Sequence, residues 1–485
     1  MKKFFTYVAP ALTTLGLALG GCQTDITEPK ATGGDADFSK YIAVGNSLTA
    51  GYADGGLYLE SQQNSYPSFL AQQFKQVGGG DFAQPLFPAA NSNGSGYFKL
   101  NGFDAAGNPQ VGPEAPAAPG QFAPGRAYIS ATLPFLTRYT GTDNQNLGVP
   151  GIRIADVTSP EFGVLTATSN ALTFNPYFER LLPANNTATT YLAYVQERVA
   201  TVKPTFFTNW LGNNDVLGYA ASGGVTPLTS VAEFSTKYAQ VIDALTANGA
   251  KGLVANISSV TSLPFFTTIP VTAVMAGVGA NPVPDVVKAQ LTAGLSLTAA
   301  QAATIRFALF IRTGRGSVRE ANANDLILLT SRALVGAPSA TSPFPGGFGI
   351  AIADLAPQQA AGLAFAAPAN PLPNSAVLDA AEVTAVAART YELNTVIYSN
   401  ALRKNLAHWD ANTFFTTITK SGLVINGVSN TTAFITGNLF SLDGVHPTPR
   451  GYAVVANEMI KVINVKYSAH LSGIDATAYR GVKFP

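Results

Sequence analysis

The chain has 485 residues, enough for one large domain or two ordinary ones. Hydrophobic residues make up 47%, so a sizeable core can form, while charged residues make up only 12%, about half the usual share. Lysine plus arginine (29) nearly balance aspartate plus glutamate (28), which argues against nucleic acid as a partner and against an acidic disordered tail, and the single cysteine, Cys22, excludes an internal disulfide or a cysteine-rich metal site.

Met1-Lys2-Lys3 is a short positive start, Phe4 to Leu19 is an apolar run, and Leu19-Gly20-Gly21-Cys22 follows. A basic region, an apolar region and small residues at a cut site predict a secretory signal. An ordinary signal peptide or an N-terminal membrane helix would share those features, although the run is short for a span of about 20 residues. Small residues just before a lone cysteine resemble the bacterial lipobox. That resemblance implies that residues 1–21 are removed and that Cys22 carries a lipid holding the protein in the cell envelope. Gln23 stands where an Asp, in some bacteria, retains a lipoprotein in the inner membrane, which favours the outer membrane. Residues 22–37 are polar, with Pro29, Gly33 and Gly34, and are expected to be a flexible tether. The folded domain is then 38–485.

Tyr41-Ile42-Ala43-Val44 reads as a short buried strand ending at Gly45. A short helix is predicted over Pro67 to Gln76. Gly78 to Thr140 is rich in Gly, Pro, Asn and Ala and is expected to be an irregular insertion. Thr189 to Val202 reads as a helix broken by Lys203-Pro204, and Thr205 to Leu211 as a second strand. Val231 to Ala247 is an amphipathic helix stopped by Asn248-Gly249, and Gly252 to Ile257 is a third strand. Strand, helix, strand in this rhythm predicts βαβ units and a parallel sheet. Pro264 to about Ala380 breaks it and reads as a second insertion, with helical patches such as Ala299 to Arg312 and a possible strand over Asp325 to Thr330. Helices are predicted over Ala381 to Ala407 and Gly451 to Lys466, the latter after Pro449.

Four short segments carry the chemistry. Gly45-Asn46-Ser47-Leu48 begins where the first strand ends, and ligands collect at the carboxyl ends of parallel strands. Asn146 to Gly151, Gly212-Asn213-Asn214-Asp215 and Asp443-Gly444-Val445-His446 are the other three. A serine hydroxyl needs a base to take its proton. An imidazole is the natural base near neutral pH, and a carboxylate can orient it. Asp443, three residues before His446, can fold back onto the ring. A tetrahedral intermediate also needs donors for its oxyanion. Gly151 can offer an unobstructed backbone N–H, and Asn214 a side-chain amide.

In this order the segments resemble the signature blocks of the SGNH hydrolases, or GDSL-type esterases. The resemblance implies an α/β fold: a three-layer α/β/α sandwich around a mostly parallel, flavodoxin-like sheet. It implies Ser47 as nucleophile, Asp443 and His446 as acid and base, and the Ser47 amide, Gly151 and Asn214 as the oxyanion hole. It implies an acyl ester as substrate, from a lipid or an acylated glycan, and no cofactor or metal. Two departures stand out. Asn46 replaces the usual Asp of the first block, and the blocks are spaced far apart by the two insertions. Gly148 is the less favoured alternative to Gly151. The same triad could serve a carbohydrate O-deacetylase or a transacylase, and a non-catalytic glycan- or lipid-binding lipoprotein would use the cleft without the chemistry. No G-x-S-x-G is present, so the α/β-hydrolase elbow is absent. His408 reads as a cap or surface residue at a helix end, His470 as solvated. With no two histidines close in sequence, zinc is not expected. Gly314-Arg315-Gly316-Ser317 reads as a turn rather than a phosphate loop, for want of a G-K-[ST] ending and of a strand before it. Phe265-Phe266 is assigned to the core, with a pocket lining as the alternative.

Overall fold

A computed structural model describes residues 30–105, 107–114, 136–166, 173–338, 347–353 and 370–485. Cys22 and the signal segment lie outside the described residues. Tyr41–Gly45 (β1) is an uninterrupted apolar run and every residue in it is buried. Phe206–Trp210 (β3) is likewise buried throughout, its polar Thr208 and Asn209 included, and Lys251–Ala255 (β4) is buried from Gly252 on. Such runs fit a parallel sheet covered on both faces. Asn146–Gly148 (β2) and Ala407–Trp409 (β5) complete it, in the order β5-β4-β3-β1-β2 with every pairing parallel. This is the flavodoxin-like winding, whose order reverses between β1 and β3. There Gly45 lies beside Trp210 on one side and Gly148 on the other.

Helices cover both faces. Tyr66–Lys75 (α2) packs against Pro449–Tyr467 (α7) on one. On the other, Val231–Leu245 (α5) packs between Tyr191–Val202 (α3) and Ala380–Arg403 (α6). Two shorter helices, Ser47–Ala50 (α1) and Asn214–Ala221 (α4), start directly beyond β1 and β3. The starts follow local chemistry. Ser230 caps α5, Asp379 and Glu382 form a reciprocal capping box on α6, and Thr448 caps α7 ahead of Pro449. Among the described residues no single helix is long and apolar enough to cross a membrane.

Several expectations are corrected. The helix expected over Ala381 to Ala407 ends at Arg403; Asn405 adopts φ 54° and the chain turns into β5. His408 therefore sits on the edge strand, not at a helix end. Its ring lies 5.1 Å from that of Tyr398, and burial pushes its pKa down. Ala299 to Arg312 splits into a helix, Ala299–Thr304, and a strand, Phe307–Arg312, because the latter finds antiparallel partners in Val318–Glu320 and Ile350–Ile352. Gly314 to Ser317 is the turn of that hairpin, so a strand does precede it. Within Asp325 to Thr330 only Leu326–Ile327 is strand. Asp325 is instead buried, paired with Arg319 and accepting from the Ala380 amide. The first insertion contains a hairpin, Tyr97–Phe103 with Pro109–Glu114. The tether is docked from Thr32 onward: Thr32 pairs with His470 and the Asp35 amide donates to the Tyr467 carbonyl, and Phe38, where the domain begins, stacks on Phe74 at 4.1 Å.

The sheet centre sets a stability expectation. Ile42 is fully buried in β1, so Ile42→Ala should cost about 2–5 kcal/mol, read as a lower denaturant midpoint at unchanged slope.

Candidate active site

Gly45 ends β1, and Asn46 caps the turn of helix that follows, its Oδ1 accepting from the Leu48 amide at 3.0 Å. An Asp would accept that bond equally well, so the cap survives the departure from the family pattern. Asn46 is buried, and its Nδ2 has no protein partner. Ser47 is the first residue of α1. The turn lies tight against β2: a Cβ on Gly148 would sit 2.3 Å from the Ala50 nitrogen, so only glycine fits there.

The loop before α7 supplies the other half. The Ser47 Oγ lies 2.8 Å from His446 Nε2, although the two residues are 399 positions apart. His446 Nδ1 lies 2.9 Å from Asp443 Oδ2. That carboxylate also accepts from the Gly55 amide through Oδ2 and from the Val445 and His446 amides through Oδ1, each at 2.8 Å. Burial pushes the Asp443 carboxyl up, but the imidazole and these hydrogen bonds outweigh it and hold the group below its ordinary value. Gly444 makes the tight turn at φ 71°, and its carbonyl accepts from the Phe265 amide.

A latch joins this loop to the one after α1. The Asp54 amide donates to Ser441 Oγ, and the Asp54 carboxylate accepts from the Leu442 amide and the Tyr58 hydroxyl. The Tyr52 ring packs 4.6 Å from the His446 ring, and its carbonyl accepts from the Tyr452 hydroxyl. Neither Tyr52 nor Asp54 was assigned a role from the sequence. Both lie within ten residues of Ser47, but apart from Tyr58 the partners in this latch are at the far end of the chain.

Asn214 opens α4, and its Nδ2 donates to the Ile152 carbonyl at 2.9 Å. This places the amide beside the Pro150-Gly151 turn, which Asn175 holds from the other side by donating to the Pro150 carbonyl. Gly151 is exposed at φ 84°. The Gly148 amide, by contrast, is buried and donates to Asn146 Oδ1. The Gly148 amide is thus already engaged, while Gly151 stands at the surface of its turn. Asp215 accepts from the Ile154 and Ala155 amides and so braces the Gly151 loop, a role its sequence position did not announce. Asn213 Oδ1 accepts from the Ser258 amide and ties the ends of β3 and β4 together.

Ser47, His446, Asn213 and Asn214 line one cavity, and Asp443 and Phe265 face a neighbouring groove that His446 also borders. Phe265 thus belongs to the site wall as well as the core. Comparison with family models matches GDSL-like Lipase/Acylhydrolase over residues 41–459. The chain belongs to that family, a hydrolase family acting on acyl esters. A comparison with curated proteins finds no match.

Burial pushes the Asp215 carboxyl up to about 7 despite its two amide donors. The folded chain then holds this proton more tightly than the unfolded one, so this group's stabilisation is complete below about pH 4 and fades as pH rises towards 7. Asp215→Asn should remove that component. Denaturant midpoints of the two proteins, compared at pH 4.5 and 7.5, should diverge in slope with pH.

Proposed function

We propose that this protein is a serine esterase working through an acyl-enzyme, anchored in the bacterial envelope by a lipid on Cys22. The observation that carries the chemistry is the unbroken hydrogen-bond chain Ser47–His446–Asp443. His446 takes the Ser47 proton as Oγ attacks the ester carbonyl. Asp443 fixes the ring so that Nε2 faces Oγ and steadies the imidazolium that forms. The Ser47 and Gly151 amides and Asn214 Nδ2 receive the oxyanion. When the intermediate collapses, the bond to the alcohol breaks and His446 hands its proton to the leaving oxygen. Water, deprotonated by the same imidazole, then releases the acid and restores Ser47. A site meant only to bind has no use for a carboxylate–imidazole–hydroxyl relay, which favours the catalytic reading over a binding lipoprotein.

Ser47→Ala should lower kcat on p-nitrophenyl esters by at least about 10,000-fold and abolish labelling by a fluorophosphonate probe, with folding intact by circular dichroism. Asn214→Ala should cost about 100–1,000-fold, mainly in kcat. Ser47→Ala protein turning over at the native rate overturns the proposal.

The anchor rests on Lys2-Lys3, the apolar run and Gly20-Gly21-Cys22. In the producing bacterium, the wild type should fractionate with membranes and incorporate labelled palmitate. Cys22→Ala should lose the label; a labelled Cys22→Ala protein contradicts the assignment.

A further inference from the structure

Two cavities meet at His446, and they differ sharply in size. Ser47 and Asn214 line the first, which Trp210, Leu217, Leu263, Phe415 and Phe440 wall off. Its volume is about 30 Å³. A water molecule needs roughly 10–15 Å³ on such a scale, and a cavity of about 150 Å³ admits benzene. The first cavity therefore takes about two or three non-hydrogen atoms. The second is an open groove of about 470 Å³. Tyr52, Val445 and His446 form its inner wall, Phe98 and Val111 come from the hairpin of the first insertion, and Phe265 begins the second insertion. A hydrogen bond from Arg332 to Asn108 ties the two insertions together beside it.

The reaction distinguishes what each can hold. The acyl carbon bonds to Ser47 Oγ, so the atoms attached to that carbon occupy a space that Ser47 itself lines. Only the small cavity meets that condition. The leaving oxygen must collect its proton from His446 Nε2. His446 lines both spaces, and of the two only the groove is large enough to take the alcohol beyond that oxygen. Its wall is mainly aromatic and aliphatic, with Thr330, Arg332 and Asp443 as its polar members, and so suits an apolar alcohol better than a sugar.

Resting on the esterase reading above, we propose that the enzyme's substrates are short-acyl esters of large apolar alcohols. An acetyl- or propionyl-sized group fills the cavity at Ser47, and the alcohol lies along the groove built by the two insertions. Phe440 and Phe415 set the acyl limit, and Val111 and Phe98 select the alcohol.

The test uses the purified full-length protein and kcat/KM by pH-stat. One series holds the alcohol constant: ethyl acetate, butyrate, octanoate and laurate. The other holds the acyl group constant: methyl, hexyl and phenylethyl acetates, whose leaving groups are similarly basic. The expected result is a fall of at least about tenfold from acetate to octanoate and a rise of at least about tenfold from methyl to phenylethyl. Phe440→Ala should move the acyl optimum to longer chains, and Val111→Asp should lower the phenylethyl-to-methyl ratio. The wild-type profiles decide the matter even where a variant fails to fold. Octanoate or laurate cleaved faster than acetate, or phenylethyl acetate cleaved no faster than methyl acetate, overturns the proposal. Fluorophosphonate labelling run alongside separates the two readings. A labelled enzyme with the opposite size order sinks the substrate assignment alone, and an unlabelled, inactive protein sinks the esterase reading with it.

Discussion

A carboxylate taken out of water loses several kcal/mol of hydration, and only well-placed donors offset that loss. Asp443 is in this position, and the architecture around it reads as the supply of its donors. Two come from its own turn, through the Val445 and His446 amides. A third comes from Gly55, in the loop beyond the nucleophile, and the fourth is the His446 ring. The Gly55 amide therefore ties the loop after β1 to the loop before α7 through this one carboxylate. The Asp54–Ser441–Tyr58 latch joins the same two loops, and Tyr52 closes over the imidazole. The same carboxylate takes the His446 ring by Nδ1, which leaves Nε2 facing Ser47.

The sheet prepares the meeting place. Where the winding order reverses, the loops leaving β1 and β3 diverge on opposite faces and leave a crevice at their carboxyl ends. Ser47 enters it from β1 and Asn213 and Asn214 from β3. Asp215, next to Asn214, then holds the loop after Gly151 against α4. The two insertions leave this frame intact. The first adds a hairpin and the second a small three-stranded sheet with its own apolar clusters, and their side chains reach the groove beside His446.

Much of this was legible without coordinates. β1, β3 and β4 are short, largely apolar runs bounded by glycine or polar residues, and hydrophobic pattern identifies such strands readily. β2 and β5 were missed because three residues carry no period, and each exists only through its neighbour in the sheet. Phe307 to Arg312 was assigned to a helix for a related reason. Phe, Ile and Leu serve either state, and two antiparallel partners decided for strand.

For the site, the sequence alone determined which residues have the chemistry. Ser47 after a strand, Asn214 after another, and Asp443 three before His446 are local facts, carried by residue type, spacing and order along the chain. Tertiary structure alone decided how those groups face one another. It brought Ser47 within 2.8 Å of His446, set Tyr52 on the ring, engaged the Gly148 amide with Asn146, and shaped a small cavity beside a large groove. The meeting of Ser47, Tyr52 and His446 depends on contacts between segments hundreds of residues apart, and no local pattern records which distant segment will close the site.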